Sequence, residues 1–257
     1  MSYKEQWIAL MTIVTKEIHR FMRIWVQTLV PPVITMTLYF VIFGSLIGSR
    51  IGSMEGFSYM EFVVPGLIMM SVLTNSYSNV VSSFYSAKFQ RNVEELLVSP
   101  TPNYVILLGY TIGGVARGLS VGFIVTMVSM FFTELQVHSL AAMVGIVLMT
   151  SILFSLMGFV NAVYANSFDD ISIIPTFVLT PLTYLGGVFY SISLLPEFWQ
   201  GVSQLNPVLY VVNAFRFGIL GVSDINIGLA FVGVGVFIVA LYVYCLHLLK
   251  TGKRLRA

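Results

Sequence analysis

Residues 227–249 read IGLAFVGVGVFIVALYVYCLHLL, 23 positions without one Asp, Glu, Lys or Arg. As a helix this stretch reaches about 34 Å, enough to cross roughly 30 Å of hydrocarbon. It is read as a transmembrane helix. Working upstream, five more apolar stretches have span length: residues 24–47, 57–83, 104–132, 139–164 and 171–190. Only 9% of the 257 residues are charged, against about a quarter in soluble domains. That leaves too little polar surface to cover a globule, which excludes a water-soluble enzyme. The 20 Phe and 13 Tyr exclude a disordered chain, and the single cysteine, Cys245, excludes a disulfide scaffold. In its apolar stretch Cys245 reads as a small packing residue.

Lys and Arg set the orientation, because cytoplasmic segments collect them. Lys4, Lys16, Arg20 and Arg23 precede the first span, Lys88 and Arg91 follow the second, and Lys250, Lys253, Arg254 and Arg256 form the tail. Only Arg50 and Arg216 fall on the other side, and Arg117 lies inside the third span. The expected fold is therefore an all-α membrane protein of six transmembrane helices, one domain over 1–257, both termini cytoplasmic. The N-terminus lacks the charge pattern and cleavage site of a signal peptide. Residues 1–23 carry apolar side chains at three- and four-residue steps (Trp7, Leu10, Met11, Val14, Ile18, Phe21, Met22), so they read as an amphipathic helix along the interface, basic side toward lipid headgroups. Pro31 and Pro32 should kink the first span. Residues 191–226 are apolar but broken at Pro196 and Asn206-Pro207 into pieces too short to cross, and read as an outer re-entrant helix pair.

Chemistry is sparse. No G-x-x-x-x-G-K-[S/T] phosphate cradle occurs, and His19, His138 and His247 are isolated, with no metal-ligand or nucleophile–base spacing. No cofactor is expected on this chain, and a net charge of +2 gives no reason to expect nucleic acid. Carboxylates deep in the bilayer would mark an ion-coupled carrier; Glu61, Asp169 and Asp170 lie near span ends, so that reading is a weaker alternative, as is a membrane scaffold. A body that moves something without an engine needs a docking feature for one. Residues 87–99 supply a short cytoplasmic helix, with Phe89, Val93, Leu96 and Leu97 on one face and Arg91, Glu94 and Glu95 on others, stopped by Ser99-Pro100-Thr101-Pro102.

Polar groups inside the spans are costly, about 2.5–3.5 kcal/mol for a centred Arg. Arg117 is either a gate or headgroup contact, or a cation satisfied by carbonyls at a helix break. Gly114, Gly118 and Gly122 beside it admit a close helix neighbour. Ser71, Asn75, Ser78 and Ser82, with Thr74 and Asn79 beside them, form a polar stripe that lines a route or bonds neighbouring helices. Tyr184, Phe189, Tyr190, Phe198 and Trp199 gather at the outer end, as interface aromatics or an exit gate. Arg216 is expected near the outer interface, facing a headgroup or Asp224.

Two motifs resemble the ABC-2 type exporter permeases. RNVEELLVSPTPNYVILLGY, residues 91–110, is similar to that family's intracellular motif of a charged pair, Leu-Leu and Pro, though NVEE stands where many relatives have Gly. Residues 174–221, IPTFVLTPLTYLGGVFYSISLLPEFWQGVSQLNPVLYVVNAFRFGILG, match a Pro-rich fifth span, a Gly-Val-Phe-Tyr turn, Leu-Pro, Asn-Pro and a following Arg. The resemblance implies a six-span permease of the bacterial inner membrane, paired with a second copy and with two separate P-loop ATPase subunits that hold ATP and Mg. It exports an amphipathic, lipid-like, polysaccharide or drug-like cargo. It implies coupling to the ATPase through Phe89, Arg91, Glu94, Glu95 and Leu96, and secondarily through Asp169 and Asp170. Asn75, Ser78, Asn79, Arg117, Tyr184, Phe189 and Arg216 are the candidate pathway and gate residues.

Overall fold

The computed structural model describes residues 1–252, 254 and 255, with Ser45 described by its backbone alone. Lys253 and Arg256 of the basic tail lie outside the described residues. Almost all of the rest is helical. Ser2 opens the first helix, Tyr3–Arg23, with a capping box in which Glu5 answers its backbone N–H. The chain breaks at Leu29, just before the prolines expected to kink it, and Pro31 and Pro32 occupy the first turn of Val30–Val41, where missing N–H groups cost nothing. A π-turn over Ile42–Ile47 lies further along this span.

Among the described residues, four helices are long and apolar enough to cross a membrane: Trp25–Ile51, Asn103–Ser129, Leu140–Tyr164 and Ile227–Thr251. The second expected span is a helix of 31 residues, Tyr59–Phe89, about 46 Å long. It reaches far enough but is more polar than those four, because protein rather than lipid surrounds it. It is buried along nearly its whole length and packs on the third and fourth spans and on the short helix Pro207–Leu220. The fifth stretch departs most from expectation. It is helical over 170–184, interrupted by a π-turn at Pro175–Leu179, and leaves the helix after Tyr184. Pro175 and Pro181 lack N–H donors but are accommodated at the starts of the π-turn and the last helical piece, and the helix ends only beyond Tyr184. Gly187, with φ of +69°, turns the chain back.

The outer pieces break where their prolines require, into Glu197–Gln204 and Pro207–Leu220. Asn206 caps the second piece through its Val208 N–H and donates to the Leu182 carbonyl at 2.6 Å. A two-residue hairpin, Ser53–Met54 with Phe57–Ser58, joins the first two spans. The glycine stripe of the third span faces its neighbours as expected. A Cβ on Gly118 would fall 1.9 Å from Ser76 Oγ, and Gly122 and Gly114 meet Val72 and Val80. On another face of the same helix, Gly109 and Gly113 receive Ile13 and Glu17 of the first helix. That helix is therefore packed into the bundle. Both chain ends lie at one end of the molecule: Gln6 meets Tyr104 at the start of the third span, and Arg254 covers Tyr164 at the close of the fourth.

Candidate functional site

The first helix corrects one expectation outright. Its protein-facing side is Ile13, Val14, Glu17 and Phe21, while Trp7, Ile8 and Met11 are exposed. Arg20 turns into the protein. It pairs with Glu17 at 3.4 Å and donates to both the backbone carbonyl and the side-chain oxygen of Asn79 at 2.8 Å. Glu17 is completely buried and accepts from Ser83 Oγ at 2.7 Å. A buried carboxylate needs its cation, which is why Arg20 follows Glu17 inward on a face that is otherwise apolar, while Lys16, His19 and Arg23 stay exposed.

Asn79 is thus committed to a helix contact. Asn75 is committed to Arg117, whose Nη2 donates to Asn75 Oδ1 at 3.0 Å. Arg117 sits near the middle of an unbroken helix, so the carbonyl-satisfied alternative falls: no helix break exists beside it. Among the described residues its Nε has no hydrogen-bond partner, and the charge acting on it is another cation, Arg20. Both residues line a cleft of about 320 Å³ between the first, second and third spans. Gln27, Thr28, Thr35 and Thr74 supply more of its polar wall, and among the described residues no carboxylate lines it. Ser78 is absent from this wall; its carbonyl accepts from Ser82 Oγ.

At the opposite end, Phe189 stacks between Phe43, centroids 4.9 Å apart, and Tyr184, 5.9 Å. Tyr59 donates to the Phe189 carbonyl at 3.1 Å. These rings tie the first and second spans to the Gly187 turn, while Phe198 and Trp199 pair separately on the short outer helix. Arg216 is buried at the outer turn rather than open to a headgroup. It is 1% exposed, donates to the carbonyls of Gly187 at 2.6 Å and Phe62 at 3.3 Å, and covers the Phe62 ring at 3.9 Å. Asp224 accepts from Ser191 and the Ile192 N–H, and its charge acts on Arg216 without a direct hydrogen bond. Arg216 is a clamp on the turn.

The basic end carries the expected docking elements, shifted. The second span runs through Phe89, so residues 87–89 belong to it, and the short helix is Asn92–Val98. Arg91 makes the corner with φ of +63°. Val93 is buried and Leu96 and Leu97 pack on the core, so the apolar face points inward, and Glu95 and Val98 face outward with Phe89. Glu94 is half-buried. Phe168 meets Phe89 at 5.1 Å and Tyr85 at 4.9 Å, which joins the two predicted contact segments. Asp169 is exposed beside it, and Asp170 accepts from the Asn166 N–H at 2.9 Å. That bond and Ser167 hold the Asp170 carboxyl below its ordinary range.

Glu17, Arg20 and the Gln27–Thr28 edge of the cleft are what sequence reasoning missed. The signal was available: Glu17 falls between Val14 and Phe21 on the apolar stripe itself.

Comparison with known proteins then fixes the family. The ABC-2 type transporter family matches residues 8–220. The chain is 63% identical over 251 residues to the inner membrane transport permease YadH of Escherichia coli K12, covering 98% of each. It is 23% identical over 193 residues to nodulation protein J of Rhizobium meliloti, covering 75% and 74%. The same-named protein of Rhizobium leguminosarum bv. viciae is 23% identical over 220 residues, covering 83% of each. With a family match over most of its length and a close full-length relative, this chain belongs to the ABC-2 type transporters, as a transmembrane permease component.

Proposed function

We propose that this chain is the membrane conduit of an ATP-driven exporter in the bacterial inner membrane, moving an amphipathic cargo with an anionic head. Two copies would face each other, each served by a separate P-loop ATPase that binds ATP and Mg. The absence of a phosphate cradle in the sequence supports an engine on another chain. Six crossings with both termini cytoplasmic agree with the distribution of Lys and Arg and with both chain ends lying at one end of the molecule. On this reading the 170–184 segment and the re-entrant pair complete the outer half.

The observation that carries the cargo class is the cleft ending at Arg117. It runs from Gln27, at the basic end of the first span, to a mid-helix cation with one unpartnered N–H and no carboxylate in the wall. An uncompensated Arg within the hydrocarbon is expensive, and an anionic head would offset that cost while its tail stays against Pro31, Pro32 and Met70. The outer aromatics around Phe189 would form the exit side. Phe89, Arg91, Glu95 and the Asp169–Asp170 turn would meet the ATPase, with Glu94 and Leu96 supporting them from the helix's inner side.

The test is co-purification with a P-loop ATPase in mild detergent, followed by transport in proteoliposomes. A fluorescent anionic lipid should move only with ATP, and Arg117→Gln should lower its rate at least tenfold while ATPase association persists. Transport that ignores ATP and collapses with a proton or sodium gradient would establish the ion-coupled alternative instead.

A further inference from the structure

We infer that the basic end of the bundle holds a site for an anionic phospholipid, whose phosphate lies among Lys88, Arg91 and Arg254. A pocket of about 370 Å³ is lined there by these three cations with Tyr85, Phe89 and Asn166. A second, of about 320 Å³, shares Arg254 and is lined by Tyr164, Tyr244, His247 and Thr251. Among the described residues, no carboxylate lines either.

The cations are held in place. Gly252 ends the last helix in the left-handed region, Arg254 adopts φ of +63°, and Leu255, 1% exposed, pins the turn. This sets the Arg254 guanidinium over the Tyr164 ring at 5.0 Å. Three described non-glycine residues have positive φ, and two of them, Arg91 and Arg254, are cations of this pocket. Strain of that kind persists where the surroundings require it and gathers at sites. Lys88 Nζ donates to the Val163 and Ala165 carbonyls at 2.7 and 2.8 Å, which leaves one N–H free. Asp170, the acid whose charge reaches Tyr85, already has its carboxylate bonded to the Asn166 N–H.

A phosphodiester satisfies several such donors at once through charge-assisted hydrogen bonds. The second pocket argues for a lipid as its source. His247 continues, at helical spacing, a stripe of the last span in which Val236, Val239 and Val243 are 60–63% exposed. Acyl chains can follow that stripe while the head stays with Arg254, as basic pockets between spans do for anionic lipids.

The site is tested on the full-length protein in nanodiscs, by native mass spectrometry of retained phosphatidylglycerol against phosphatidylcholine. Wild type should retain phosphatidylglycerol preferentially, and Arg254→Gln should lower that retention about fivefold, the effect of one cation near a charged surface. Arg50→Gln, at the far end, should change nothing. Arg91→Gln should repeat the loss, which guards against a folding defect in either variant. Unchanged retention in both would overturn the site. So would equal displacement by millimolar inorganic phosphate and by soluble short-chain phosphatidylglycerol, since the pocket would then read free phosphate. Retained lipid with lost ATPase co-purification in Arg254→Gln would assign the pocket to an acidic segment of that subunit instead.

Discussion

Arg20 and Glu17 show how a single pair directs a helix. Arg20→Met leaves the fully buried Glu17 carboxylate without its cation, and the cost should be about 3 kcal/mol, the lower end for breaking a buried pair because Arg20 is partly exposed. Adding Glu17→Gln should recover most of it, as read by thermal unfolding in detergent. Recovery distinguishes an unpaired charge from lost packing. Gly118 tests contact at the same scale. A valine there must displace Ser76, so Gly118→Val should destabilise by roughly 1–3 kcal/mol. Gly233→Ala, with nothing within 4 Å, should not destabilise the protein in the same assay. Arg117, Asn75 and the glycine stripe were legible because polarity and small size inside a span demand a protein neighbour. The hydrogen-bond partners of Arg216 were not legible because they are the carbonyls of Phe62 and Gly187, distant in sequence, and backbone acceptors leave no trace in residue identity.

Among elements, breaks made by proline were read correctly and breaks made by conformation were not. Pro196 and Asn206-Pro207 divide the outer segment as their chemistry requires. The corner before Asn92–Val98 is made by Arg91 in the left-handed region, a place where glycine is the usual signal, so the short helix was started five residues early. The turn after the fourth span carries its own acid dependence. Asp170 accepts from the Asn166 N–H, its pKa is held down by that bond and by Ser167, and a depressed carboxyl stabilises the fold above its unfolded value. That contribution is present above about pH 4 and is lost as pH falls through the lower folded value. Hydrogen exchange at the Asn166 amide, corrected for intrinsic rate, should therefore speed up on acidification below pH 4, and Asp170→Ala should be fast throughout.

At the scale of the molecule, the second span connects what the other elements keep apart. Asn75 holds Arg117 at the cleft, and the same unbroken helix ends at Phe89 beside the exposed corner where an ATPase would push. Enclosed by protein rather than lipid, it can carry serines and asparagines that a lipid-facing span could not, which is why hydropathy alone undercounts it. A continuous helix transmits displacement as a rod only while its backbone is stiff. Ser78→Gly with Ser82→Gly, between cleft and corner, costs about 0.5 kcal/mol per site in helix propensity. The pair should leave ATPase association and binding of an anionic lipid at the cleft intact, yet reduce transport per ATP hydrolysed several-fold in proteoliposomes. The same softening at Val236 and Val239, on the exposed face of the last span, should leave that ratio unchanged. Equal losses in both variants would mean that the force reaches the cleft by another route, and the rod would have to be sought in the third span.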